Sequence, residues 1–115
     1  MSFFLDPTYP YKYTLRTSPI HGTGVFATSW INTGDCVEKS VEKKTDKTKY
    51  TPFGYHLNHC STNFNVILKE KKKGEYWNYA IQPIRPDEEI TTNYDRDSSV
   101  FPDVVGPSEP FYKLC

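Results

Sequence analysis

Short runs of aromatic and β-branched residues, each ended by a turn signal, limit the folds open to this chain more than any other feature. The run YKYTLRT (11–17) is followed by VFAT (25–28) and DCVEKSVE (35–42), with the turn-rich segments SPIHGTG (18–24) and NTG (32–34) between them. Such runs favour extended backbone, whereas clustered glycine, proline and asparagine interrupt it. The first half of the chain therefore predicts a succession of short strands.

The second half contains a hairpin and one further strand. NVILKE (65–70) and EYWNYAIQ (75–82) flank KKKG (71–74), whose glycine stands at the tight position of a hairpin turn. Beyond a second turn at 85–87, the stretch EITTNY (89–94) also has a strand pattern. A chain of 115 residues suits one domain, so the predicted fold class is mainly β with few helices.

Three segments depart from the strand pattern. The polar run KKTDKTK (43–49) predicts an exposed loop, and residues 52–60 predict a turn or two of helix with Pro52 at its start. The tail 98–115 contains three prolines, which argue against regular structure there. The same tail keeps aromatic rings, which disordered tails usually lack.

Charge and composition argue against several classes of protein. The 14 basic and 14 acidic residues cancel, which removes the usual electrostatic basis for binding nucleic acid or a membrane surface. The N-terminal stretch MSFFLDPTYP has no basic segment typical of a signal peptide, and no apolar run approaches the length of a membrane span. We therefore expect an intracellular soluble protein of the cytoplasm or nucleus, one that is not secreted.

The segment HLNHC (56–60) concentrates the side chains best suited to binding a metal or a small molecule. Zinc needs four ligands, and this segment offers His56, His59 and Cys60. Adjacent ligands such as His59 and Cys60 diverge, and the chain contains no C-x-x-C pair. A small zinc protein is therefore a remote alternative, a partly buried Asn58–His59 pair is the simpler interpretation, and we expect no metal.

The segment HGTGVFA (21–27) places Gly22 and Gly24 around Thr23 just before a strand. It is either a plain turn or a backbone surface without Cβ atoms, which a ligand can approach closely. A dinucleotide-binding fingerprint would need a third glycine and a following helix, so that interpretation fails.

Taken together and in this order, three segments resemble the SET-domain protein-lysine methyltransferases. They are H-G-x-G-V-F-A (21–27), L-N-H-C (57–60) and D-E-E-I-T-x-N-Y-D (87–95). The family signatures are a G-x-G followed by V-F-A, an N-H-S/C segment, and a G-E-E-L/I-T-x-x-Y strand. The chain is also similar in length to the minimal SET proteins of some viruses and bacteria. The resemblance implies a β-clip fold of several small sheets with a C-terminal pseudoknot, in which 1–97 is the SET domain and 98–115 is a post-SET-like tail on the substrate channel.

The resemblance also implies that the chain binds S-adenosylmethionine. Gly22, Thr23 and Gly24 would contact the methionine end of this cofactor through the backbone. Asn58 would hydrogen-bond the cofactor by its side chain, and His59 would hold the adenine edge largely through its main chain. Tyr94 corresponds to the catalytic tyrosine of the family.

The implied activity is methyl transfer to the side-chain amine of a lysine in a histone or another protein. Free lysine has a pKa near 10.4, so only about one molecule in a thousand is neutral near pH 7.4. A narrow aromatic channel and the positive sulfonium both disfavour the ammonium form. Alignment of the neutral amine with the S–CH₃ bond supplies the rest of the catalysis.

Aromatic side chains are expected to line the substrate channel, because SET enzymes commonly close it with rings from a C-terminal segment. The candidates are Phe101, Phe111 and Tyr112 in the tail, and Tyr50, Phe53, Tyr55 and Tyr79 in the body. Thr92 stands two residues before Tyr94, where relatives often have an aromatic residue. The smaller side chain leaves more room, so we expect di- or trimethylation.

Several departures from the family pattern leave alternatives open. The segment 60–65 lacks the proline of S/C-x-x-P-N, so the motif asparagine is either Asn63 or Asn65. The polar insert 40–54 is short, so the substrate groove is expected either to be open or to be completed by a second copy in a homodimer. The acidic stretch 87–89 would attract a basic peptide. A catalytically weak or inactive SET-like module that binds a peptide or protein is the alternative function.

Overall fold

Residues 11–45 and 47–94 are described by a computed structural model of the chain. Within them strands predominate, and the one helix is short. The elements in chain order are β1 (Tyr13–Thr17), β2 (Thr23–Ala27), β3 (Cys36–Lys44), β4 (Lys47–Tyr50), α1 (Pro52–His56), β5 (Asn58–His59), β6 (Val66–Lys72), β7 (Glu75–Ala80) and β8 (Glu89–Thr92). The prediction of a mainly β protein is confirmed.

The strands form two four-stranded sheets. The first sheet has the order β1-β2-β8-β5 and the second has the order β4-β3-β7-β6. Every strand pair is antiparallel except β5 with β8, which is parallel. The last strand, β8, therefore lies between a strand from the start of the chain and a strand from its middle.

Apolar side chains from both sheets and from α1 form one core. Its members are Val25, Ala27, Ile31, Val37, Phe53, Leu57, Val66, Ala80, Ile84 and Ile90. Phe53 is fully buried, and its ring contacts that of Tyr13 edge-on, with centroids 5.0 Å apart. Burying a ring of this size removes a large apolar area from water, which stabilises the fold by a few kcal/mol. Phe53, one of the candidate channel residues, is therefore a core residue.

The side chain of Asn65 connects the two sheets. Its amide nitrogen donates to the backbone oxygen of Glu89 at 3.0 Å, and its side-chain oxygen accepts from the backbone nitrogen of Thr91 at 2.9 Å. Its own backbone oxygen accepts from the nitrogen of Ile81 at 3.0 Å. Asn65 is 1% exposed, whereas Asn63 is exposed. Of the two asparagines that the sequence left open, Asn65 is the one built into the fold.

The polar run 43–49 is not the loop that the sequence predicted. Its residues 43–44 end β3 and its residues 47–49 belong to β4, and Lys44 pairs with Lys47 between the two strands. At the turn Thr45 has a φ of 52°, in the left-handed region that β-branched residues rarely adopt. The sequence pattern does not indicate this hairpin because β4 and the end of β3 that pairs with it are polar.

Thr45→Gly is expected to stabilise the protein. Glycine accepts a positive φ without the steric cost of about 1–2 kcal/mol that an L side chain meets there. A gain of about 1 kcal/mol would raise the melting temperature by roughly 5 °C, as measured by thermal unfolding followed by circular dichroism. The matched control is Thr48→Gly on β4, which should lower the melting temperature because glycine weakens a strand interior. A fall in both variants would contradict the assignment of strain at Thr45.

Candidate functional site

The parallel pairing of β5 with β8 brings two distant sequence motifs side by side. Asn58 lies opposite Thr91, and His59 lies opposite Thr92. Beyond β5, the backbone nitrogen of Cys60 donates to the oxygen of Thr92 at 2.8 Å. The N-H segment and the strand that leads to Tyr94 are therefore neighbours in space, although more than thirty residues separate them.

Tyr94 is held against the N-H segment at three points. Its backbone nitrogen donates to Nδ1 of His59 at 3.1 Å, and the two rings are stacked with centroids 6.3 Å apart. Its hydroxyl donates to the backbone oxygen of Leu57 at 2.5 Å. Because Nδ1 of His59 accepts this hydrogen bond, the neutral imidazole ring carries its proton on Nε2. The hydroxyl of Tyr94 thus lies beside the residue that precedes Asn58.

The side chain of Asn58 is oriented by a network that reaches both other motifs. Its nitrogen Nδ2 donates to Oε2 of Glu89 at 2.8 Å and to the backbone oxygen of His21 at 3.0 Å. These two bonds use both N–H groups of the amide. The other polar atom of this side chain, the oxygen Oδ1, has no hydrogen bond within the described residues.

Ser18 completes the network from the start of the glycine segment. Its hydroxyl lies 2.9 and 2.8 Å from the two carboxylate oxygens of Glu89, to which it donates its one proton. The same hydroxyl oxygen accepts from the backbone nitrogen of Ile20 at 2.9 Å. The turn of the glycine segment is thereby tied to β8 through the carboxylate of Glu89.

The two glycines of the segment serve different local needs. Gly22 has a φ of +48°, and its oxygen accepts from the nitrogen of Ser18 at 2.7 Å, which closes the turn. A Cβ on Gly24 would lie 2.4 Å from Oε2 of Glu89 and 2.8 Å from Cβ of Ser18. Gly24 therefore makes room for the carboxylate network. Thr23 is exposed and begins β2 opposite Thr17.

The sequence did not identify Ser18 and Glu89 as site residues. Glu89 belongs to the acidic stretch 87–89, but it is half-buried and its carboxylate accepts hydrogen bonds from Ser18 and Asn58. No pattern along the chain could have paired Ser18 with Glu89, because 71 positions separate them. Glu88 and Asp87, by contrast, are exposed.

Other residues predicted for the channel occupy varied environments. Thr92 is 1% exposed, and its hydroxyl approaches the backbone oxygen of Val66 at 3.4 Å. Tyr55 is 72% exposed, and Tyr79 lies on the second sheet with Nζ of Lys69 5.4 Å from its ring centroid. Tyr50, in β4, is partly buried opposite Val41. Phe101, Phe111 and Tyr112 lie outside the described residues.

The histidines do not assemble a metal centre within residues 11–45 and 47–94. No group of three or more metal-binding side chains meets there. Nδ1 of His56 lies 2.9 Å from the backbone oxygen of Pro52, one turn earlier in the same helix. His59 is engaged with Tyr94, as described above.

Glu89→Gln is expected to disturb Asn58 and thereby to weaken the cofactor binding that the sequence resemblance implies. The replacement puts an amide N–H₂ where Glu89 now accepts, so a donor would face either Ser18 or Asn58. Leaving one buried donor unsatisfied costs about 1–3 kcal/mol, so cofactor affinity should fall about tenfold in a calorimetric titration. The control is Glu88→Gln, which makes the same change of charge at an exposed neighbour and should leave the affinity unchanged. Equal effects of the two substitutions would contradict the role of the network.

Comparisons with known proteins give a consistent result. The SET domain family model matches residues 39–95, a range that includes α1, the Asn58–His59 segment and Tyr94. The glycine segment lies before that range, and the hydrogen bond from Asn58 to His21 places it at the same site. No curated protein sequence matches the chain.

Among the solved structures that match is a crystal structure of a Plasmodium falciparum protein described as a candidate histone methyltransferase. It shares 22% sequence identity with this chain at a TM-score of 0.53, and the alignment covers 73% of this chain and 93% of that one. At this identity the likeness concerns the fold. No helix in the described residues is long and apolar enough to cross a membrane. The family-model match over residues 39–95 and the shared fold together give this chain the fold of a SET domain.

Proposed function

We propose that the chain transfers a methyl group from S-adenosylmethionine to the side-chain amine of a lysine in a protein substrate. The proposal rests on one observation. The hydroxyl of Tyr94 donates a hydrogen bond to the backbone oxygen of Leu57, the residue directly before Asn58. A hydroxyl at the end of one motif thus meets the segment that would hold the methyl donor. Fold alone would not support a function, whereas this arrangement of side chains does.

The acceptor atoms of the site suit the charges of the cofactor. S-adenosylmethionine carries a positive ammonium and a positive sulfonium, and it supplies the methyl group when bound. The Oδ1 atom of Asn58 is an acceptor that the network leaves available for the ammonium. Gly22 to Gly24 border the same place and would meet the methionine end through backbone groups, and His59 would meet the adenine edge through its main chain.

Tyr94 would orient the substrate amine. Its hydroxyl proton is donated to Leu57, so the lone pairs of its oxygen are the groups that can accept an N–H of the amine. An amine held by its N–H keeps its lone pair free for attack on the methyl carbon. Positioning of this kind requires no general base in the transfer step itself.

The substrate would be a basic peptide segment with an accessible lysine. Glu88 is exposed and Asp87 is paired only at the surface, with Arg16 at 3.5 Å, so both can offer negative charge to such a peptide. The small side chain of Thr92 supports di- or trimethylation. The β3–β4 hairpin is short, which supports a homodimer in which a second copy of the chain forms the missing wall of the substrate groove. A monomer mass by light scattering at assay concentration would contradict that dimer.

The direct test is a thermal shift with S-adenosylmethionine, followed by incubation with labelled cofactor and lysine-rich proteins. Cofactor at a hundredfold its Kd should add about 2.7 kcal/mol to the stability. Label incorporated into the substrate, with product masses beyond one methyl group, is the expected result. Cofactor or peptide binding without any transfer would support the alternative of a peptide-binding SET module, and no thermal shift at millimolar cofactor would refute the proposal.

A further inference from the structure

The zero net charge of the chain conceals a strong segregation of charge. Residues 39–75 contain nine lysines against four acidic residues, a net charge of +5. The rest of the chain contains five basic and ten acidic residues, a net charge of −5. The expectation that the chain does not bind nucleic acid rested on the summed charge, but a local field depends on where the charges lie.

The tertiary structure gathers much of this positive charge at one end of the second sheet. The turns of the β3–β4 and β6–β7 hairpins lie side by side, because the backbone nitrogen of Lys43 donates to the oxygen of Gly74 at 2.7 Å. The φ of Gly74 is +78°, and a Cβ there would lie 2.4 Å from the oxygen of Lys43. This contact joins two lysine-rich turns into one surface. Its exposed lysines, called here the lysine tip, are Lys44, Lys47, Lys71, Lys72 and Lys73.

The acidic residues described in this region contact Lys39 or the backbone, and Glu42 also reaches Lys44 of the tip. Glu42 lies 2.9 Å from Nζ of Lys39, and Glu75 lies 4.0 Å from the same nitrogen. The Lys39–Glu42 hydrogen bond raises the pKa of Lys39 and lowers the pKa of Glu42, so both remain charged and offset each other. Glu70 accepts from the backbone nitrogen of Gly74 at 2.9 Å.

The lysines of the tip are poorly neutralised. Within the described residues, Lys44 is the only one of the five with an ion pair, and that contact to Glu42 is 4.0 Å long. Nζ of Lys71 lies 4.2 Å from the ring centroid of Trp77, which does not reduce its charge. The tip is therefore a compact group of solvent-facing ammonium ions.

We propose that the lysine tip docks the protein on the phosphate backbone of a nucleic-acid duplex. Lysine is a point charge on a flexible stem, which suits contacts to phosphates that ignore base sequence. Two adjacent tight turns present these charges on a narrow edge that can follow one strand of backbone. Nζ of Lys71 covers one face of the half-buried Trp77 ring, which disfavours the base stacking that single strands use.

The tip lies far enough from the candidate transfer site for both to be occupied together. Strand β6 runs from Lys72, at the tip, to Val66. Val66 follows Asn65, whose side chain hydrogen-bonds to Thr91 of β8. Six residue steps of about 3.3 Å make roughly 20 Å. Docking on nucleic acid therefore does not depend on methyl transfer, and either proposal can fail without the other.

The test is fluorescence anisotropy of the full chain with a labelled duplex of about 20 base pairs at several salt concentrations. Saturable binding is expected, with log affinity falling linearly against log salt by about 0.9 for each phosphate contacted. The variant Lys72→Gln/Lys73→Gln should weaken binding about tenfold and reduce that slope by about 1.8. Its thermal shift with S-adenosylmethionine should match that of the unaltered protein.

The matched control is Lys12→Gln/Arg85→Gln, which removes the same charge from exposed positions outside the tip. This control should keep the slope of the unaltered protein. Equal weakening by both double variants, or absence of saturable binding at low salt, would overturn the proposal. Tighter binding to a single strand of equal length, or to poly-glutamate, would also overturn it and would indicate a different class of partner.

Discussion

Replacing Tyr94 with phenylalanine is expected to reduce the rate of methyl transfer at least about a hundredfold, while cofactor affinity changes by no more than about twofold. The substitution removes one oxygen and keeps the ring that stacks on His59 and the backbone nitrogen that donates to it. The amine would lose the acceptor that fixes its orientation, and losses of positioning at a reacting centre commonly reach this size. Single-turnover rates with labelled cofactor, beside calorimetric cofactor titrations, measure the two quantities separately.

Tyr55→Phe is the control for that experiment, because it removes the same hydroxyl from a ring that is 72% exposed. Its rate and cofactor affinity should equal those of the unaltered protein. If Tyr94→Phe slowed transfer less than about fivefold, or weakened cofactor binding in proportion to the rate, Tyr94 would not be the orienting group. The proposed transfer chemistry would then lose the observation that carries it.

The features that the sequence predicted correctly depend on local patterns. Runs of aromatic and β-branched residues predicted most of the strands, Gly74 predicted the β6–β7 turn, and Pro52 predicted the start of α1. Family motifs identified the segments that meet at the site, since their residues keep a fixed order along the chain. The pairing of β5 with β8 confirmed that the N-H segment lies beside Tyr94.

The features that the sequence missed depend on contacts between distant segments. Nothing local distinguishes Glu89 in its network from Glu88 on the surface, since the difference is the presence of Ser18 and Asn58. Similarly, Asn63 and Asn65 look alike until the backbone of β8 lies beside one of them. The β3–β4 hairpin was missed because strand prediction relies on apolar alternation, and its edge strand has none.

Gly54→Ala is expected to destabilise the protein by about 3 kcal/mol, the opposite of the gain that alanine usually brings to a helix. A Cβ at this position would lie 2.1 Å from the backbone oxygen of Ser40 and 2.7 Å from its carbonyl carbon. These neighbours belong to strand β3 and cannot rotate away as a side chain could, so α1 would have to move. Its movement would strain the bond from the nitrogen of Thr51 to the oxygen of Ser40 and would lift Phe53 from the core.

Thermal unfolding should show the destabilisation as a fall in melting temperature of roughly 12 °C or more. Gly34→Ala is the matched control, because Gly34 has a φ of +93° but nothing within 4 Å of the added carbon, so about 1 kcal/mol of backbone strain is expected there. Equal losses in the two variants would show that the close approach to Ser40 has no special effect. Since α1 runs into Leu57, whose oxygen holds the Tyr94 hydroxyl, a displaced helix should also lower the transfer rate of the folded fraction. Gly54 of α1 thus links the packing of the second sheet to the position of Tyr94.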